Sequence, residues 1–202
     1  GEGSKKAAGY DPYYVEKTGP AQVVLIGTPN VGKSSIVAAL TKAHVSVEDY
    51  PFSTHTPVPG MAFYEDVQIE LVDMPPYTGD GFPPGMLGAI QRADMICLVI
   101  DGAQETLDEI ETGLGLLKQK RILPETAARQ ENDGDYRRKK FLAVVTKVDI
   151  AGIDQVIPPL EEFYPDIEFM GVSSVDGTNM DKFVLRLFEI LDLVRVYSKP
   201  PG

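Results

Sequence analysis

The chain has 202 residues, 19 basic and 30 acidic side chains, a formal net charge of −11, and 43% hydrophobic residues. That length suits one domain with a sizeable core, and the composition excludes wholesale disorder. The acid excess excludes gripping nucleic acid, DNA included, through bulk charge, but it leaves a local nucleotide pocket open.

No apolar run reaches the roughly 18 residues of a membrane helix; the longest, from Met95 to Ile100, falls far short. No membrane partner is expected. The N-terminal segment lacks an apolar signal core. The single cysteine, Cys97, sits in an apolar run and reads as core in a reducing compartment. A cytoplasmic location is expected.

Residues 1–20 read as a loose lead-in, with a globular domain over 21–192 and a tail over 193–202. AQVVLIG, from Ala21, is a β-branched run ending in glycine and reads as a buried strand. A helix is predicted from about Gly32 to Lys42, with Ile36, Val37 and Leu40 at helical spacing. Pro51, Pro57, Pro59 and Gly60 place an exposed loop over 44–60. MAFYEDVQIELVDM reads as a hairpin turning near Glu65 and Asp66.

A second loop, PPYTGDGFPPG, precedes a short helix carrying Met86, Leu87 and Ile90. ADMICLVIDG is another buried strand, 105–120 is helical, and 121–140 reads as a polar insertion ending in Arg137-Arg138-Lys139-Lys140. Those four charges read as a solvated edge rather than a nucleic-acid patch. FLAVVTKVD and IEFMGVSS are the last strands, and the final helix runs from about Met180 to Leu191. Strands alternating with helices predict a mostly parallel sheet covered on both faces. Ligands of such sheets sit beyond the strands' carboxyl ends.

The chemistry gathers there. Gly27-Thr28-Pro29-Asn30-Val31-Gly32-Lys33-Ser34 fits G-x-x-x-x-G-K-S between a strand and a helix. The glycines let backbone N–H groups of Asn30, Val31, Gly32, Lys33, Ser34 and Ser35 face phosphate oxygens, with the helix N-terminus adding its dipole. Lys33 reaches the β- and γ-phosphates, and the Ser34 hydroxyl is a ligand for Mg²⁺. The pattern specifies a P-loop NTPase: a three-layer α/β sandwich with a mostly parallel six-stranded sheet and one antiparallel edge strand.

Thr146-Lys147-Val148-Asp149, at a strand end, resembles the [N/T]-K-x-D guanine motif. A carboxylate at Asp149 accepts from both the ring N–H and the exocyclic amine of guanine, which adenine cannot offer there, and the Lys147 stem packs on the purine. Ser173-Ser174 resembles the loop that meets the guanine carbonyl. Asp73 stands where GTPases place the D-x-x-G aspartate that holds Mg²⁺, but Pro76 replaces the glycine and has no N–H to sense a γ-phosphate.

Together these motifs resemble the Obg superfamily of translation-factor-type GTPases, and within it the developmentally regulated GTP-binding (DRG) proteins. Tyr50-Pro51-Phe52-Ser53-Thr54 with Pro57 to Gly60 is similar to their first switch, and Glu16 to Gly19 and Arg92-Ala93-Asp94 match as well. The resemblance implies GTP and GDP as ligands, Mg²⁺ as cofactor, Thr54 as a further Mg²⁺ and γ-phosphate contact, and ribosome or RNA partners. The sequence from Val194 to Gly202 resembles the opening of a TGS domain, which is expected to continue beyond it and to carry much of that partner contact.

Catalysis would rest on Lys33, Thr54 and Asn30. Tyr77 stands where many GTPases carry a water-orienting glutamine, so turnover is expected on the order of 10⁻³ s⁻¹ or below. Asn30 has two readings: a ligand for an activating K⁺, or a residue suited to a turn. His44 and His55 have no cysteine partner for a metal site, and Asp101 and Asp108 have no evident catalytic partner.

Overall fold

The alternation of side chains along each strand sorts the core into two layers. Val24 and Ile26 face one side with Ile96, Leu98, Ile100, Ala143 and Val145. Val23 and Leu25 face the other with Met95, Cys97, Val99, Leu142 and Val144. A period of two with both sets apolar is what a sheet buried on both faces requires. The structure is a computed structural model that describes residues 11–41 and 56–194.

Among the described residues the elements are β1 (Gln22–Ile26), α1 (Lys33–Thr41), β2 (Val58–Tyr64), β3 (Val67–Asp73), α2 (Met86–Arg92), β4 (Met95–Asp101), α3 (Thr106–Gln119), β5 (Ile122–Pro124), β6 (Arg137–Thr146), α4 (Val148–Ala151), α5 (Ile153–Phe163), β7 (Phe169–Gly171) and α6 (Met180–Ile190). Helices α2, α3 and α5 cover the first face; α1 and α6 cover the second. The result is the expected three-layer sandwich. No described helix is long and apolar enough to cross a membrane.

The sheet runs β2-β3-β1-β4-β6-β5, with β7 also on β6. Among the described strands only the β2–β3 pair is antiparallel, and β2 is the edge. The expected six strands are corrected to seven, for a geometric reason. Odd-numbered β6 residues bond both outer neighbours: Arg137 N–H donates to the Arg121 carbonyl beside β5, and Ala143 N–H donates to the Glu168 carbonyl beside β7. Two three-residue strands thus share one lane along the long β6; β7 was read from the sequence, while β5, three residues inside a polar stretch, leaves no periodic trace.

Three further expectations are revised. The loop over 44–60 ends early, because Val58, Pro59 and Gly60 already pair with β3; Pro59 is tolerated on an edge strand. The polar insertion over 121–140 contains β5, and Arg137 to Lys140 begin β6. Their side chains are not simply solvated: Lys139 Nζ donates to the Gln91 carbonyl at 2.7 Å and also to that of Ala93, while Lys140 Nζ donates to the Ile190 carbonyl at 2.8 Å. Residues 11–20 are not loose, since Tyr13 is buried in the first core layer against Gly85. Arg92 lies over the Tyr14 ring, and the Asp94 carboxylate accepts from Gln22 N–H at 2.8 Å.

Cys97 is buried, as read from the sequence, and burial pushes its thiol pKa up.

Candidate functional site

Parallel register brings the carboxyl ends of β1, β3, β4 and β6 to one edge. Leu25 pairs with Asp73 and Asp101 pairs with Thr146. The loop from Gly27 to Gly32 leaves β1 at this edge and enters α1. Its two glycines serve different needs. Gly32 takes φ +99°, a left-handed backbone; Gly27 is required for space, since an added Cβ would sit 2.7 Å from the Val99 carbonyl oxygen and 2.8 Å from Val31 Cγ2.

Gly27→Ala is therefore expected to destabilise the fold by about 1–3 kcal/mol, as overpacking does. A thermal melt checks this, and an unchanged Tm would contradict it.

The backbone N–H groups of Asn30, Val31, Gly32, Lys33, Ser34 and Ser35 have no acceptor among the described residues. Six consecutive free donors, at a helix N-terminus, form a concavity suited to an anion. Asn30 takes φ +67°, so conformation alone accounts for an asparagine there.

Lys33 and Asp73 line the same edge and are only 7% and 5% exposed. Burial lowers the Lys33 pKa, against the opposing charge of Asp73. Burial likewise raises that of Asp73, offset by Lys33 and by a hydrogen bond from Ser34. The Ser34 hydroxyl donates to Asp73 Oδ2 at 2.8 Å. A hydroxyl and a carboxylate held together are oxygen donors of the kind a small hard cation takes. Thr54, Ser53, His44 and His55 lie outside the described residues.

The second cluster is built where β6 passes into α4. The Thr146 hydroxyl is buried and bonds the Val31 carbonyl at 2.6 Å, which ties the strand end to the phosphate-type loop. Lys147 takes φ +62° and extends across that loop, donating to the Asn30 carbonyl at 3.2 Å. Asp149 is exposed, and no described residue bonds its carboxylate.

Ser173 is buried, and its hydroxyl accepts from Val175 N–H at 3.2 Å and Asp176 N–H at 3.3 Å. Its side chain shapes the loop. Ser174 is exposed, and its N–H has no acceptor among the described residues. The structure thus brings Asn30 to Ser35, Asp73, Thr146, Lys147, Asp149, Ser173 and Ser174 to one edge.

Two features went unread in the sequence. Tyr77 does not face the edge: its ring is fully buried, stacks edge-on with Phe82, and its N–H donates to the Gly27 carbonyl at 3.2 Å. Asp101, which the sequence left without a partner, accepts from Lys147 Nζ at 2.6 Å. Its own N–H donates to Glu109 Oε2 at 2.7 Å, and Thr28 Oγ1 donates to Glu109 Oε1 at 3.3 Å. Burial raises the Glu109 pKa, partly countered by these hydrogen bonds. Only strand register could have revealed this network, because its members are scattered along the chain.

Residues 22–147 match the family described as 50S ribosome-binding GTPase. The chain belongs to that family. As a member of it, this GTPase-family chain is 26% identical to Developmentally-regulated G-protein 2 of Arabidopsis thaliana across 96% of its length. It is 29% identical to GTPase Obg of Amoebophilus asiaticus across 85%. It spans 62% of the first relative and 50% of the second. These likenesses bear out the Obg and DRG resemblance.

Among solved structures, Era in complex with MgGDPNP and a segment of 16S ribosomal RNA superposes with a TM-score of 0.61 at 21% identity. That match covers 90% of this chain and 59% of the other, and it supports the shared P-loop GTPase fold.

Proposed function

We propose that this edge binds GTP and GDP and hydrolyses GTP slowly to GDP and phosphate with Mg²⁺, in a cytoplasmic molecular switch linked to the ribosome or RNA. The observation that carries the reading is the run of six unpartnered amides from Asn30 to Ser35 beside a buried Lys33. These donors take the phosphates, and Lys33 places its charge against the transferring group. Ser34 and Asp73 hold Mg²⁺, with Thr54 as the proposed third contact; the 2.8 Å hydroxyl–carboxylate pair fits that ion. When bound, Mg²⁺ neutralises phosphate charge.

Asp149 reads guanine through its free carboxylate, the Lys147 stem packs on the purine, and Thr146 holds the strand end beneath them. The Ser174 N–H offers a donor to the guanine carbonyl, on a loop shaped by Ser173. Asn30 keeps two readings, a ligand for an activating K⁺ or a residue suited to the left-handed turn it occupies. The ribosome or RNA link is supported by the description of the family and by the RNA held by Era.

A second reading has its own observation. Tyr77 is locked in the core, so no side chain from that position reaches an attacking water, and Pro76 lacks an N–H. This favours a nucleotide-binding adaptor on the ribosome with negligible hydrolysis.

Titration with fluorescent GDP, GTP and ATP analogues, followed by phosphate release in KCl and in NaCl, separates these. Guanine preference with slow release is the expected result. Tight ATP preference overturns the guanine assignment, binding without release favours the adaptor, and equal rates in the two salts remove the K⁺ role.

A further inference from the structure

Asp101 is an unexpected residue to find beside a loop that takes phosphates. A buried carboxylate there opposes an incoming polyanion and would be costly without a countercharge. Its partner is Lys147, at 2.6 Å. Asp101 is the fixed member of this pair. Its side chain is 6% exposed against 35% for the lysine, its Oδ1 accepts from Ala103 N–H at 2.9 Å, and its N–H is held by Glu109. The lysine is the movable member, a long chain leaving a left-handed backbone that a non-glycine residue adopts only at a cost.

We propose that Asp101 is a positioning residue for nucleotide recognition. Its carboxylate draws the Lys147 ammonium back across the phosphate-type loop and so sets the lysine stem as one wall of the base pocket. This rests on the guanine-nucleotide reading and deepens it by naming what orients the lysine. The other bond to the ammonium is from a neutral carbonyl, that of Asn30 at 3.2 Å, and charge-assisted bonds are the stronger kind. Thr146, immediately before the lysine, is pinned to Val31 and Ile100. The lysine's direction is thus set by its side chain, not by slack in the strand end.

A double-mutant cycle on the full chain tests this with Asp101→Asn, Lys147→Met and the pair. Asparagine keeps the Oδ1 acceptor for Ala103, and methionine keeps an apolar stem. GDP and inorganic pyrophosphate are each titrated in Mg²⁺ by displacement of fluorescent GDP. Asp101→Asn is expected to weaken GDP about tenfold, and Lys147→Met by a similar factor. The pair should be no weaker than Lys147→Met within about twofold, since residues in direct contact are coupled.

Pyrophosphate affinity should hold or improve in Asp101→Asn, because the base pocket is not used and a negative charge is gone. Wild-type GDP affinity in Asp101→Asn, or additive losses in the pair, overturns the proposal. A parallel loss of pyrophosphate affinity does so too, as it would show a loosened loop instead. Wild-type protein that binds no GDP fails the guanine reading itself, a distinct result.

Discussion

Lys33→Met is expected to lower GTP turnover by about 10²–10³-fold, the scale on which removing one preorganised electrostatic contact to a transition state is felt. The ammonium is not a solvated surface charge. It is 7% exposed, and burial already lowers its pKa. Its countercharge among the described residues is Asp73, and at such burial its interaction with developing charge is little screened by water. Methionine retains the stem packed near Gly27 while deleting the charge. The loss should therefore appear in turnover with the fold intact. Phosphate release under single-turnover conditions, with circular dichroism as the folding control, measures this. A folded variant with near-wild-type turnover would remove Lys33 from the mechanism.

On the proposed GTPase reading, turnover without a partner is expected to be slow. In that reading Lys33 and six amides neutralise phosphate charge, while Tyr77 is turned away from the edge. Tyr77 is spent on packing: it fills the space between Phe82 and α3, where a Cβ added at Gly113 would lie 2.7 Å from its hydroxyl. The segment after Asp73 is tied back to the sheet as well, with Met74 N–H on the Leu25 carbonyl and Tyr77 N–H on the Gly27 carbonyl. A phenol buried in this way anchors the segment instead of sampling the site.

What the sequence revealed and what it concealed divide by distance along the chain. The phosphate-type loop was legible because strand, glycines, lysine and helix are contiguous, and each has a local physical reason. The placement of Asp149 and Ser174 at this edge was legible because both follow buried strands that must end there. The Asp101–Lys147–Glu109 network was not, since the pairing exists only after β4 and β6 come into register. Helix α5 left no clear pattern because Pro158 and Pro159 interrupt it, although Ile157 and Leu160 give it a buried face. The packing of residues 11–20 was hidden for a related reason: Tyr13 is one aromatic in a polar stretch, and its niche over Gly85 is formed by a segment more than seventy residues away.

Asp149→Asn is expected to reverse base preference, lowering GDP affinity by about 100-fold or more and raising affinity for xanthosine diphosphate. The argument is one of donors and acceptors. Guanine presents a ring N–H and an exocyclic amine, and an ionised carboxylate accepts from both. An asparagine carbonyl accepts one of them and turns its NH₂ toward the other, leaving a donor facing a donor. Losing one charge-assisted bond, reducing the other to a neutral one and setting a donor against a donor amounts to about 3 kcal/mol or more, and every 1.4 kcal/mol is about tenfold.

Xanthine carries a carbonyl in place of the amine, so the asparagine amide then meets an acceptor. Because Asp149 is exposed and unbonded among the described residues, the exchange should leave the melting temperature of the nucleotide-free protein nearly unchanged. Competition titrations with GDP and xanthosine diphosphate measure the reversal. Equal loss of both nucleotides would place the base elsewhere, and undiminished GDP binding would detach Asp149 from recognition altogether.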